Sequence, residues 1–357
     1  MSNNILAINP GSTSTKVGLF RDCDPIATNI IRHSSNEFSE FDTVWEQMEF
    51  RERAVREFVQ TEAGAVEKFH AVVGRGGLLR PVEGGVYRVN KQMLLDAEDG
   101  YQGEHPANLG CALAYAFAHE MDSKAYIVDP VSTNEMADVA RYSGHPAIHR
   151  KSLSHALNLH YVARKVADEL EIPLKDSRFI VAHLGGGISI APIRGGKIID
   201  VNDATNEGPF STTRAGSLPT VTLAEFILDS NLSYPEAKAE LLKNAGLLGY
   251  LNDYDGSNLA RKIEQGDEKV TEVVHAMAYQ ISKEIGSMST ALQGEIDRII
   301  ITGGLTNFEY LVDKIREQSE WIAEFRLLPG EFELEAMAGG VQRVLTGQES
   351  PKTYPLS

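Results

Sequence analysis

Cysteine is scarce in this sequence. Cys23 and Cys111 stand far apart with no CxxC pairing, which excludes a disulfide framework and a zinc ribbon and points to a reducing compartment. Positive charge is the minority sign, with 34 Lys and Arg against 50 Asp and Glu and a net charge of −16. No Lys/Arg run breaks that balance, so a nucleic-acid partner is not expected. No apolar run approaches the ~20 residues that a membrane helix needs. The first one stops at Asn9 without a basic stretch before it, so neither a membrane partner nor a signal peptide is expected, and the expected location is cytoplasmic. His149, His155 and His160 cluster in sequence, but their spacing does not share a helix face and no carboxylate completes the set, which argues against zinc.

What is present is the material of an ordinary globular chain: 357 residues, 42% apolar and 24% charged, enough for two domains with proper cores. The organising stretch is Ile5-Leu-Ala-Ile-Asn9-Pro-Gly11-Ser12-Thr13-Ser14-Thr-Lys16-Val-Gly-Leu-Phe20. An apolar strand breaks into a Gly, Ser and Thr loop and resumes as a second strand, with a third over 26–32. Gly11 frees backbone N–H groups, Ser12 and Ser14 add hydroxyl donors and Lys16 a cation, as a phosphate requires. The spacing is not that of a Walker loop, and a strand rather than a helix follows.

The pattern returns at Phe179-Ile-Val-Ala-His183-Leu-Gly185-Gly186-Gly187-Ile-Ser189, which folds back as a hairpin and turns at Gly195 and Gly196. A third glycine turn, Thr302-Gly303-Gly304-Leu305-Thr-Asn307, follows another buried strand. One glycine-rich turn is ordinarily only a tight turn. Three after apolar strands, two with matching hairpins, indicate a duplicated architecture with ligand loops.

Between these landmarks the periodicity predicts an amphipathic helix over 39–59 with a cap at Asp42, and a strand over 70–74 ending at Arg75. A glycine-rich loop follows over 76–89, then a buried helix over 108–121 and a strand over 125–128 ending in Asp129. Helices are expected over 154–170, 222–229, 234–244, 267–292 and 333–345. The aperiodic stretch 206–219, which holds Arg214, and the turn-rich stretch 251–258 read as loops. Long loops in compact domains are usually functional.

The loops resemble the two phosphate motifs and the adenosine motif of the acetate and sugar kinase, Hsp70 and actin superfamily. Within it, Asn9-Pro-Gly-Ser-Thr-Ser-Thr-Lys16 and His183-Leu-Gly-Gly-Gly-Ile-Ser189 resemble the butyrate kinases, short-chain carboxylate kinases of the acetokinase family. Gly74-Arg75-Gly-Gly, Gly84-Gly-Val-Tyr-Arg-Val-Asn90 and Ser152-Leu-Ser-His155-Ala-Leu-Asn158 extend the likeness over nearly the whole chain. The resemblance implies an α/β fold of two ribonuclease-H-like domains, mixed sheets flanked by helices, closing over a central nucleotide cleft. Residues 1–150 with 333–357 would form the acid- and phosphoryl-binding domain and 151–332 the nucleotide domain. It also implies a homo-oligomer, dimer or larger.

The implied reaction is reversible transfer of the ATP γ-phosphoryl group to a short-chain, butyrate-like carboxylate, giving an acyl phosphate and ADP. A carboxylate is already ionised at neutral pH, so no general base is needed, and direct in-line displacement is expected. Catalysis then rests on positioning and charge stabilisation. By resemblance the catalytic residues are Arg75, His105, Asp129, His183 and Arg214. Ser12, Ser14, Lys16, Gly185, Gly186, Gly187, Asp255, Gly303, Gly304 and Asn307 would bind the nucleotide. Asn9 and Glu335, with Glu333 as the alternative, would hold Mg²⁺, which commonly takes only one or two protein carboxylates.

Three departures from the acetate kinases stand out: Gly186 replaces Asn, Lys151 stands where a histidine is expected, and Ser257 replaces an arginine in the nucleotide loop. The first two favour butyrate over acetate. An acetate or propionate kinase is the neighbouring alternative. A sugar kinase would need an acidic base, for which Asp129 is available. An Hsp70- or actin-like binding module would give no reason for Arg75 and Arg214.

Overall fold

The computed structural model describes residues 2–38, 40–62, 66 and 68–356. Ser39, the expected start of the first amphipathic helix, and the end residues Met1 and Ser357 of the expected first domain lie outside them. Fourteen strands are found among the described residues: β1 Asn4–Pro10, β2 Ser14–Arg21, β3 Asp24–Arg32, β4 Ala71–Arg75, β5 Val86–Arg88, β6 Lys124–Val128, β7 Tyr142–His145, β8 Ile148–His149, β9 Arg178–Leu184, β10 Ile188–Arg194, β11 Lys197–Ile198, β12 Arg298–Gly303, β13 Phe325–Pro329 and β14 Lys352–Thr353. The chain forms two compact units. The first comprises Met1–Asn134, Ala156–Asn158 and Phe332–Ser357, and the second Glu135–His155 and Leu159–Glu331.

The first unit is built on a mixed sheet in the order β14-β5-β6-β4-β1-β2-β3. β1 is an interior strand, and Ile5, Leu6, Ala7 and Ile8 are fully buried, which is why this strand reads as an unbroken apolar run. It pairs parallel with β4 and antiparallel with β2, placing Asn9 opposite Lys16. Register partners project from the same face of a sheet. Arg75 pairs with Val128 at the matching end of β6. The helix Leu109–Glu120 packs on β4 with no side chain between, because a Cβ on Gly74 would lie 1.8 Å from the Gly110 carbonyl oxygen. The C-terminal helix Glu333–Leu345 lies against β1, β4 and β6 through Leu334, Ala336, Met337, Ala338, Gly340 and Val341.

The second unit has a sheet in the order β11-β10-β9-β12-β13. β9 and β10 form the expected hairpin, with His183 opposite Ser189. The helix Glu268–Ala291 buries Val270, Val273, Val274, Met277, Ile281 and Ile285, the stripe seen in its periodicity. Asp267 caps it through Val270 N–H. The architecture is the α/β, mixed-sheet arrangement expected.

Several local expectations are corrected. The helix expected over 39–59 is Met48–Glu62, preceded by a 3-10 turn at Trp45–Gln47; the Asp42 backbone N–H donates to the Glu46 carboxylate at 2.8 Å. The loop 76–89 contains β5. The turn-rich stretch 251–258 runs into the helix Gly256–Glu264. The helix Lys91–Glu98, the β7–β8 hairpin, β13 and β14 are too short or too mixed in polarity for a periodic signal. No helix among the described residues is long and apolar enough to cross a membrane.

Candidate active site

In the first unit, the C-terminal ends of parallel β1, β4 and β6 deliver Asn9, Arg75 and Asp129 side by side, as strand ends do in α/β sheets. The fourth member comes from the far end of the sequence. Phe332 adopts a left-handed conformation with φ +49° and turns the chain into the last helix, so that Glu333 is its first residue. The Glu333 carboxylate accepts from Asn9 Nδ2 at 2.6 Å and from Lys16 Nζ at 3.1 Å. Arg75 Nε lies 3.8 Å from its other oxygen. Arg75 is buried and donates through Nη1 to the Asp129 carbonyl oxygen at 3.1 Å. Asp129 has φ +38°, a strained backbone for a non-glycine residue, and its Oδ1 accepts the Gly85 N–H at 2.6 Å.

Of the two candidate acids, Glu333 meets Asn9, Lys16 and Arg75, whereas among the described residues no hydrogen bond or ion pair is found between Glu335 and these three. The reason is helical phase, since two residues on is more than half a turn away. His105 sits at the start of the 3-10 turn Pro106–Asn108, where Nδ1 accepts the Ala107 N–H at 3.1 Å. In a neutral ring that places the proton on Nε2. Ser12 lies on the loop between β1 and β2, and Ser14 opens β2. This loop is closed by Gly11 N–H on the Ser14 carbonyl at 2.7 Å and backed by the fully buried Arg51.

In the second unit, β9 ends at His183 and Leu184, followed by Gly185, Gly186 and Gly187. His183 is buried, and the His155 ring stacks on it at 4.0 Å between centroids and 13° between planes. His155 Nδ1 lies 2.9 Å from Ser189 Oγ, so the hairpin that carries the glycines also fixes the second imidazole. Arg214 arrives from the aperiodic loop. Its Nη1 donates to the Ala204 carbonyl at 2.8 Å, and a Cβ on Gly187 would lie 2.5 Å from that nitrogen. Gly187 is thus a seat for the guanidinium. Burial draws the Arg214 pKa below its ordinary value, opposed by the nearby charge of Asp203.

The loop itself is anchored. Asn202 bonds Ile190 N–H and the Ile188 carbonyl, Ser211 Oγ donates to the Gly186 carbonyl at 2.7 Å, and Arg150 bridges Asp200 and Glu207. Asp255 caps the helix Gly256–Glu264 through Asn258 N–H at 2.9 Å. Gly256 packs against Phe308, beside the turn that holds Gly303, Gly304 and Asn307. Gly303 has φ +97°, and a Cβ there would meet the Leu184 carbonyl oxygen at 2.3 Å; this turn is glycine because the end of β9 passes against it.

Sequence reasoning does not single out as site residues two side chains that meet these candidates, His155 and Arg51. His155 stands within the motif 152–158. Arg51 did leave a signal, because it falls on the stripe formed by Met48, Val55 and Phe58, where a charge does not belong unless it has buried partners.

Metal-binding groups of three or more His, Cys, Asp or Glu are absent among the described residues. One carboxylate, Glu333, beside an amide, Asn9, would fit a divalent ion such as Mg²⁺ held largely through water and substrate phosphates.

Comparison with known proteins gives a concordant result. The sequence profile of the acetokinase family matches residues 115–322. An acetate kinase from Porphyromonas gingivalis superposes with a TM-score of 0.76 at 18% identity, covering 96% of this chain and 100% of that one. A propionate kinase from Francisella tularensis subsp. tularensis gives 0.75 at 18%, with 95% and 98% covered. The acetate kinase from Entamoeba histolytica gives 0.75 at 15%, with 95% and 98% covered. At such identities the likeness is one of fold.

Proposed function

This chain belongs to the acetokinase family, carboxylate kinases that transfer a phosphoryl group from ATP, and from that premise we propose that it is a butyrate kinase, acting on butyrate or branched short-chain acids with MgATP. The observation that carries the chemistry is the meeting of Asn9, Lys16 and Arg75 on the single carboxylate of Glu333. It is a cation-rich strand end with one acid to share a divalent ion. A preference for butyrate is supported by the sequence: Gly186 in place of asparagine, and Lys151 in place of the histidine expected of acetate kinases.

In this reading an oxygen of the acid's carboxylate attacks the γ-phosphorus, the bond from that phosphorus to the β,γ-bridging oxygen breaks, and ADP leaves without any proton transfer. Lys16 and Arg75 attract the transferring group and offset the repulsion between two anions. Mg²⁺, entering with the nucleotide, would be held by Asn9 and Glu333 and neutralise phosphate charge. The amides of 185–187 receive nucleotide phosphates, Arg214 stabilises charge on the equatorial oxygens, and His105 and His183 donate hydrogen bonds. Displacement is direct, because an acceptor that is already an anion gains nothing from a phosphoenzyme.

The test is acyl hydroxamate formation with hydroxylamine, measured as kcat/KM over acetate, propionate, butyrate, isobutyrate and valerate. The expected order places butyrate or isobutyrate ahead of acetate by ~10-fold or more, the scale that one or two methylenes allow. Acetate or propionate ranking first would make this an acetate or propionate kinase. Phosphorylation of a sugar without hydroxamate would reject the carboxylate reading altogether.

A further inference from the structure

The loop between β1 and β2 is held from behind by a buried cation. Arg51, fully buried on the helix Met48–Glu62, donates from Nη2 to the Gly11 carbonyl at 2.9 Å. From Nη1 it donates to the Ser14 carbonyl at 3.2 Å and to Thr15 Oγ1 at 2.9 Å. Nε and Nη2 both reach Gln47 Oε1, and the guanidinium lies 4.8 Å over the Phe38 ring. Each of these partners is neutral, although buried arginines are ordinarily paired with an acid. Burial draws its pKa down to about 10, which leaves it charged at neutral pH.

The consequence lies on the opposite side of the loop. Thr13, too, has its carbonyl drawn inward, by His33 N–H at 2.9 Å. In a planar trans peptide the N–H points opposite to the C=O. Turning the Gly11 carbonyl onto Arg51 therefore turns the amide of Ser12 away from Arg51, while the Ser14 amide, opposite the Thr13 carbonyl, stays inside the hairpin beside Gly11. Ser12 and Thr13 are exposed. An exposed amide aimed away from the buried cation is a donor for an anion, and a cation one peptide layer behind adds attraction for an anion in front.

We infer that Arg51 is a positioning residue for phosphoryl transfer: it holds this loop in the conformation that presents the Ser12 amide to the transferring phosphoryl group. The inference rests on the carboxylate-kinase reading for the identity of that group, though not for the anion-binding loop itself.

Two measurements test it. The first is steady-state kinetics of Arg51→Met, Arg51→Lys and Arg53→Met, the last on the exposed side of the same helix. Arg51→Met is expected to lose kcat by ~10²-fold, the scale of a loop misplaced by about an ångström, with the KM for the acid within about twofold of native. Lysine, which keeps the charge but not the fork, restores roughly a tenth of native activity, and Arg53→Met stays native. The second is titration of the full-length protein with inorganic phosphate, followed at the Ser12 amide resonance. A saturable shift is expected that needs ~10-fold more phosphate in Arg51→Met.

A folded Arg51→Met protein with native kcat and native phosphate response overturns the inference. So does a loss that lysine does not relieve and that follows a lowered melting temperature alone. Should the methionine variant fail to fold, Arg51→Lys decides by the same kcat-against-KM split. If the native protein makes no acyl phosphate from any acid, the functional reading fails and the phosphate titration alone judges Arg51.

Discussion

The two strand–loop–strand hairpins, β1–β2 in the first unit and β9–β10 in the second, achieve a similar loop by different means. Each has a backbone carbonyl pulled inward by a side chain from another segment: Gly11 by Arg51 and Gly186 by Ser211. The first loop keeps its own hydroxyls and Lys16, and its support is charged. The second is bare glycine backbone; its support is neutral, and the side chains packed by it, Arg214 and His155, are brought in from elsewhere. Sequence likeness between the hairpins thus stops at the backbone. A loop without side chains leaves room for a guanidinium, whereas a loop with its own donors needs only to be held.

That contrast can be broken at three points, beginning where the effect is largest. Arg214→Ala removes the cation seated on the second loop and is expected to cut kcat by ~10²–10³ with little change in melting. Gly187→Ala, whose Cβ would lie 2.5 Å from Arg214 Nη1, is expected to lose kcat without touching the arginine itself. Native turnover in both variants would remove the second loop from the chemistry.

Next, Glu333→Gln in the first unit is expected to raise the Mg²⁺ needed for half-maximal rate by ~10-fold or more, the scale seen when a metal's surroundings are altered, while Glu335→Gln leaves the Mg²⁺ titration native. A swap of those outcomes would return the metal role to Glu335.

The smallest effect separates the charged support from the neutral one. Burial, and then the adjacent Arg51, hold the His33 pKa below its ordinary value, and His33 Nε2 lies 2.9 Å from Thr15 Oγ1. A base with a depressed folded pKa binds fewer protons folded than unfolded, so its stabilisation is complete above the unfolded pKa, about 6.5. It is lost as pH falls from there through the folded value. Amide exchange at residues 12–15, corrected for intrinsic rates, should therefore accelerate below about pH 6.5 in the native protein, and should do so less in His33→Gln. Residues 185–187, which rest on Ser211, should show no such step. Equal pH responses in the two loops would deny His33 this role.

What the sequence alone determined is what short-range chemistry can specify. Apolar runs at 5–8 and 179–182 make buried strands, glycines end them, and the 3.6-residue stripe from Val270 to Ile285 makes one long helix. These features, with the loop motifs, led to the α/β fold and to its family. Tertiary structure decided which polar residues meet. Glu333 rather than Glu335 reaches Asn9 because Phe332, at φ +49°, sets the phase of the last helix, and no periodicity encodes that phase. His155 joins His183 because Ser189, opposite His183 in the hairpin, fixes its ring. Arg51 looks like an error in an apolar stripe until the carbonyls of Gly11 and Ser14 supply its partners. Patterns along a chain report burial, which each residue expresses alone; a hydrogen bond between distant residues depends on both partners and on the backbone geometry that joins them.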